Sequence, residues 1–234
     1  MMTTLIVVLV VSGALVAGAA WGLFGTLHKR TEGFLVALAG GALLLSVTSE
    51  LIQPSIDKSS LWTAMGGVAL GAVLFTAIDY WIDEKWGPDS GGGLLAAITT
   101  DGVPENLALG VALIGAGGKE VAALAGSILL SNLPEAAGGA RQMGDNGMSK
   151  GKAMLLWVAT AGLLSAAAIA GNVLLDGASE HVLAVIRCVA AGAVIASLAT
   201  EVFPQAYKED SHLAGIATAL GAILAFALGS LSGG

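Results

Sequence analysis

The residues in this chain best able to do chemistry are acids, and they stand where acids are costly. Asp101 and Glu105 lie in the run Thr100-Asp101-Gly102-Val103-Pro104-Glu105-Asn106, and Asn132 and Glu135 lie in Ser131-Asn132-Leu133-Pro134-Glu135. Both runs sit inside long apolar stretches with no Lys, Arg or His near their middles. An acid at the centre of a membrane helix costs about 2.5–3.5 kcal/mol on insertion scales, so it must be protonated, face water or hold a cation. The four-residue spacing puts Asp101 and Glu105 on one helix face, and the three-residue spacing does the same for Asn132 and Glu135. A short turn around Gly117-Gly118 joins the two stretches. They should therefore pack antiparallel, with their Pro-Glu steps at similar depth. That would bring three carboxylates and one amide together near the midplane. Thr100 and Ser131 add hydroxyls beside them as secondary or pathway residues. Pro104 and Pro134 have no N–H, so the carbonyls of Thr100 and Leu130 lose their helical partners and become candidate oxygen ligands. The same prolines also read as plain kinks. The chemistry these residue types suggest is a cation or proton path.

The elements that must position these acids are membrane helices. The chain has 234 residues, 56% hydrophobic and only 12% charged, whereas soluble domains run near a quarter charged. So little polar surface cannot cover a protein in water, and lipid must be part of its solvent. A spanning helix needs about 20 mainly apolar residues. Segments of that kind cover residues 3–27, 31–55, 59–82, 94–116, 120–141, 152–175, 181–207 and 211–231. The expected fold is all-α: eight transmembrane helices in a single transporter domain over residues 1–234. The first segment has small residues where a signal peptidase could cut, but it lacks a basic leader and is long for a signal sequence, so it reads as a retained helix. The net charge of -7 and the lack of a basic patch exclude nucleic acid as a partner. The one cysteine, Cys188, can form no internal disulfide.

With eight spans both termini share a side. If that side is the outer one, the cytoplasmic loops hold Lys29, Arg30, Lys85, Arg141, Lys150, Lys152 and Lys208, and the outer loops only Lys58 and Lys119. The positive-inside rule therefore places both termini on the non-cytoplasmic side of a cell (inner) membrane. Residues 142–151 read as a flexible cytoplasmic connection.

Two helix pairs repeat. Gly41-Ala42 through Ser46 to Glu50 matches Gly192-Ala193 through Ser197 to Glu201, and Ala69-Leu70-Gly71-Ala72 matches Ala219-Leu220-Gly221-Ala222. The second helix runs outward and the seventh inward, so the repeat is inverted: helices one to three and six to eight around helices four and five. Inverted repeats around a midplane site mark secondary transporters. Glu50 and Glu201 are candidate pathway residues, although each could simply reach interfacial water. Asp79 reads as interfacial, and His28, His181 and His212 as surface residues.

At these residues the chain resembles the ZIP family (Zrt-, Irt-like proteins) of metal transporters. That family has a His-Asn-x-Pro-Glu-Gly motif in helix four and a related x-x-x-Pro-Glu motif in helix five. Asp101 through Asn106 and Ser131 through Glu135 stand in those places, and Glu201-Val202-Phe203-Pro204 and Glu50 through Pro54 fit the helix-seven and helix-two patterns. The resemblance implies metal coordination by Asp101, Glu105, Asn132 and Glu135, and a homodimer. It also implies alternating access, with helices one, four, five and six moving against the rest. The transported ion would be Zn²⁺, Mn²⁺ or Fe²⁺, with no prosthetic group and no enzymatic activity. Asp101 replaces the family histidine, and residues 156–171 contain no acid, so a second bridged metal is not expected. The resemblance puts zinc first, while an all-oxygen ligand set suits harder ions.

The competing expectation is an intramembrane aspartyl protease, or another acid-pair membrane enzyme, built on Asp79 and Asp101. It lacks a Gly-x-Gly-Asp context and leaves the paired Pro-Glu steps without a role.

Overall fold

The computed structural model describes residues 2–26, 28–86, 91–115 and 121–232, and every regular element among them is a helix. The eight helices are α1 (Met2–Phe24), α2 (Lys29–Lys58), α3 (Leu61–Trp86), α4 (Gly91–Ala112), α5 (Ala122–Asp145), α6 (Lys150–Leu174), α7 (Glu180–Glu209) and α8 (Ala214–Ser232). The turn expected around Gly117-Gly118 and residues 87–90 of the loop after α3 lie outside the described residues. The expected long connection at residues 142–151 is shorter than its composition suggests. Helix α5 runs on to Asp145, and Gly147, at φ 88°, makes the turn before Ser149 caps α6.

Six helices, α1, α2, α3, α6, α7 and α8, are long and apolar enough to cross a membrane. The chain is a multi-pass membrane protein. Helices α3 and α8 turn large apolar side chains outward, among them Trp62, Val73, Ile78, Ile216, Ile223 and Phe226. Lipid needs no cover for such a face, whereas water would. The two acidic helices lie inside. Along α5, Ser131, Asn132, Pro134 and the run from Ala136 to Ala140 are all buried.

The helices pack as two groups. In one, α1 rests on α5 and α6, and α4 rests on α6; in the other, α2 rests on α8 and α3 on α7. Glycines set the close crossings. Gly41 of α2 lies against the Thr218 carbonyl of α8, and Gly221 of α8 against the Leu38 carbonyl of α2. The α3–α7 crossing has the same form: Gly192 meets the Val68 carbonyl and Gly71 meets the Val189 carbonyl. A Cβ at any of the four would enter the facing backbone. Within the first group, Gly22 meets the Ala137 carbonyl of α5, and Gly171 meets the Leu107 carbonyl of α4. Without a hydrophobic drive between helices in lipid, such backbone approach is what makes a stable contact.

Helices α2 and α7 share one irregularity that sequence reading did not foresee. Each widens into π-helix, at Val47–Ile52 and at Leu198–Val202, with the Gln53 N–H donating to the Thr48 carbonyl and the Phe203 N–H to the Leu198 carbonyl. Each stretch is followed by a proline, Pro54 or Pro204, in the short α-helix that completes the span. A proline leaves the carbonyl one turn back without its donor, and a wider turn accommodates that loss. Glu50 and Glu201 occupy these wide turns.

The crossings give a stability test. Gly192→Leu should cost about 1–3 kcal/mol through overpacking and lower the unfolding midpoint of the detergent-purified protein. Gly162→Ala, with nothing within 4 Å of the added carbon, should leave the midpoint unchanged or slightly raised.

Candidate functional site

The acids of α4 and α5 meet α7 where the two helix groups face each other. A small cavity of about 20 Å³ is lined by Asp101 and Glu105 of α4, Ser131 and Glu135 of α5, and Ser197 of α7. Leu43, Val194 and Leu198 form its apolar wall. A larger cavity of about 500 Å³ shares Asp101, Glu135 and Val202 with it and adds Glu201. It runs along α5 past Gly138 and Gly139 to the end of the bundle that bears Lys29, Arg141 and Lys208. Toward the other end the cavity closes. Leu43, Val194 and Leu198 belong to an apolar core with Val11, Leu109, Leu124 and Ile128. Beyond that core Arg187 of α7 donates to the Val111 carbonyl near the end of α4 at 3.0 Å.

Asp101 lies within hydrogen-bonding reach of Ser197 and Glu201. Glu135 acts electrostatically on both Asp101 and Glu105, and Glu201 acts on Glu135. The charges that bear on these three acids are therefore other carboxylates. Glu105 is 6% exposed. Its Oε1 and the Oδ1 of Asp101 are buried without a hydrogen-bond partner among the described residues. A buried polar atom left unpaired costs on the order of 1–3 kcal/mol, and a cation beside both would remove that cost. Among the described residues, no three His, Cys, Asp or Glu side chains stand close enough to grip a metal ion between them. The acids line the two cavities rather than close a cage.

The structure thus brings together Asp101, Glu105, Ser131, Glu135 and Glu201. It places three expected residues elsewhere. Asn132 turns to α1, where its amide donates to the Val11 carbonyl at 3.1 Å, and it lines neither cavity. Thr100 and Glu50 also line neither; the Glu50 carboxylate lies toward Gly229 of α8. The two prolines do not end their helices: α4 runs on through Pro104 and α5 through Pro134. Asp79, the second acid of a protease pair, lines neither cavity. His28, His181 and His212 are exposed, as a surface assignment requires.

Sequence reading missed Ser197 and the walls of the larger cavity. Glu32 pairs with Arg141 at 2.6 Å, with the carboxylate side chain 3% exposed and the guanidinium 25%. It is seated over Gly138, where any Cβ would strike it. Two signals were available. Ser197 occupies the place in the repeat that Ser46 holds. Gly138 and Gly139 follow Glu135 by three and four residues, which puts them on its face of the helix.

The asymmetry between the two ends is testable. In a Cys188→Ala background, Val202→Cys should react with a membrane-impermeant thiol reagent applied from the side bearing Lys29 and Lys208. Val111→Cys, 0% exposed, should react from neither side while the protein rests in this state.

No protein-family model matches this chain, and no curated protein sequence is significantly similar to it.

Proposed function

We propose that this protein transports divalent metal ions. The ion, as substrate, would be bound by Asp101, Glu105 and Glu135 with help from Glu201 and the hydroxyls of Ser131 and Ser197, and would leave along the larger cavity. The observation that supports this most is that Asp101, Glu135 and Glu201 line a polar cavity inside an apolar bundle, with Glu105 in the small cavity that adjoins it and with other carboxylates acting on Asp101, Glu105 and Glu135. Ionised acids in such a place need a cation, and a cavity gives one a route.

The route is open at one end and packed shut at the other, as alternating access requires of one of its states. The matched glycine crossings and the paired π turns support reading helices one to three and six to eight as an inverted repeat around α4 and α5. The Lys and Arg at the open end support placing it in the cytoplasm, with both termini on the other side. The donors are all oxygen, which suits Mn²⁺ and other hard ions; resemblance to ZIP transporters adds Fe²⁺ and Zn²⁺ as substrates.

Three outcomes test this in proteoliposomes. Glu105→Gln should abolish uptake of Mn²⁺ and Zn²⁺ while leaving the folded protein intact. Asp101→His should move the Zn²⁺/Mn²⁺ uptake ratio toward zinc, because a borderline-soft nitrogen replaces a hard carboxylate; an unchanged ratio would remove Asp101 from the ligands. Protons compete with the metal for the same carboxylates, so equilibrium Mn²⁺ binding should weaken as pH falls. A pH-independent affinity would contradict carboxylate ligation.

A further inference from the structure

The ion pair of Glu32 and Arg141 lies apart from the deep acids, yet it stands on the way out from them. Glu32 belongs to α2 and Arg141 to α5, and both line the larger cavity together with Asp101, Glu135 and Glu201. The Glu32 carboxylate rests on the α5 backbone at Gly138. Gly138 follows Glu135 by three residues, about 4.5 Å further along the same helix face. At the end of the cavity Lys29, Asp145 and Lys208 are exposed, whereas Glu32 is buried. Glu32 is therefore the carboxylate that an ion leaving Glu135 along α5 meets before the mouth. A buried ion pair is a weak source of stability, because desolvating its two charges offsets much of their attraction. Stability alone does not account for one in the wall of this cavity.

We propose that Glu32 and Arg141 form a cation-operated gate in this cavity: Glu32 takes a divalent ion on from Glu135, and Arg141 is the tethered cation that occupies Glu32 between ions. The gate rests on the transport reading above, and it needs only side chains to move. With Arg141 in place Glu32 is neutralised, and the guanidinium sets a positive charge where a cation must pass. At equal distance a divalent ion attracts the carboxylate twice as strongly as the singly charged guanidinium does, and it repels Arg141. Arg141 has a second carboxylate to move to. Asp145 stands four residues further along α5, on the same helix face, and lines the same cavity. A monovalent ion brings no more charge than the guanidinium it would replace. The guanidinium is also tethered beside the carboxylate, at a high effective concentration. The pair therefore yields to divalent ions and holds against monovalent ones. When the ion leaves Glu32 for the solution, Arg141 returns.

The experiment uses the full chain in membrane vesicles oriented with the Lys29 and Lys208 end toward the bath. The initial rate of Mn²⁺ entry then gives a KM for the cavity side. Arg141→Gln leaves Glu32 open and should lower this KM about tenfold, with the maximal rate falling alongside because the ion now rests on Glu32. Na⁺ should compete with Mn²⁺ in that variant and not in the wild type at equal ionic strength. Glu32→Gln leaves the guanidinium in the passage without its carboxylate and should raise the KM about tenfold. Glu32→Gln/Arg141→Gln removes both charges and should return the KM toward the wild-type value. If the pair only held α2 to α5, either single substitution would break the same contact. Shifts in the same direction, or no shift in either, would therefore overturn the gate. Should Arg141→Gln fail to fold around a bare carboxylate, Glu32→Gln and the double variant decide, and a wild-type KM in Glu32→Gln overturns the gate. Absence of Mn²⁺ entry in the wild type would overturn the gate and the transport reading together. Wild-type entry that Glu105→Gln abolishes, with a KM indifferent to Glu32 and Arg141, would remove the gate alone.

Discussion

Asp101, Glu105 and Glu135 are placed in a bundle too apolar to solvate them, and much of the architecture follows from that placement. Taking an ionised carboxylate out of water costs several kcal/mol even after a protein relaxes around it. A helix with such residues cannot face lipid, so α4 and α5 must be enclosed. The enclosing helices supply a hydroxyl at Ser197, a further acid at Glu201 and an apolar wall at Leu43, Val194 and Leu198. Among the described residues, none that lines the small cavity is basic. The deficit is what a divalent cation would fill.

Enclosure in lipid depends on close backbone contact, and here glycines provide it. The Gly41–Gly221 and Gly71–Gly192 crossings bind α2 to α8 and α3 to α7 as firm pairs, and Gly22 and Gly171 do the same for α1 with α5 and α6 with α4. The interface that carries the acids is different. It combines an apolar core, in which Leu43, Val47, Val194 and Leu198 pack on Val11, Leu109, Leu124 and Ile128, with the acids and the cavity they line. A fold divided in this way has close glycine crossings inside each group and puts both its apolar core and its acids between them.

The helix count was legible from composition and span length, but the expected packing of the two acidic helices on each other was not met: α4 rests mainly on α6 and α5 mainly on α1. Asp101, Glu105 and Glu135 were legible too, because an acid in an apolar run announces its cost. Asn132 shows where spacing stops being informative. Three-residue spacing fixes a shared helix face with Glu135, but that face is wide enough for one residue to reach α7 and the other to reach the Val11 carbonyl of α1. The π turns were hidden because the sequence shows only a proline after each acid, and a proline permits a kink or a bulge equally well. Glu32 was hidden for another reason. An acid in the first turn of a helix reads as a favourable N-terminal charge, and only Arg141 and Gly138, contributed by α5, show it to be buried.

The most direct measurement is thermal stabilisation of the purified protein by a panel of divalent ions, since a ligand that binds only the folded state stabilises it as ln(1 + [L]/Kd). Divalent cations should raise the unfolding midpoint of the wild-type protein in a saturable way, with Mn²⁺ effective and monovalent ions at equal ionic strength ineffective. The rise should vanish in a Glu105→Gln/Glu135→Gln variant that remains folded. Equal stabilisation of wild type and variant, or none in either, would contradict a cation site at these carboxylates.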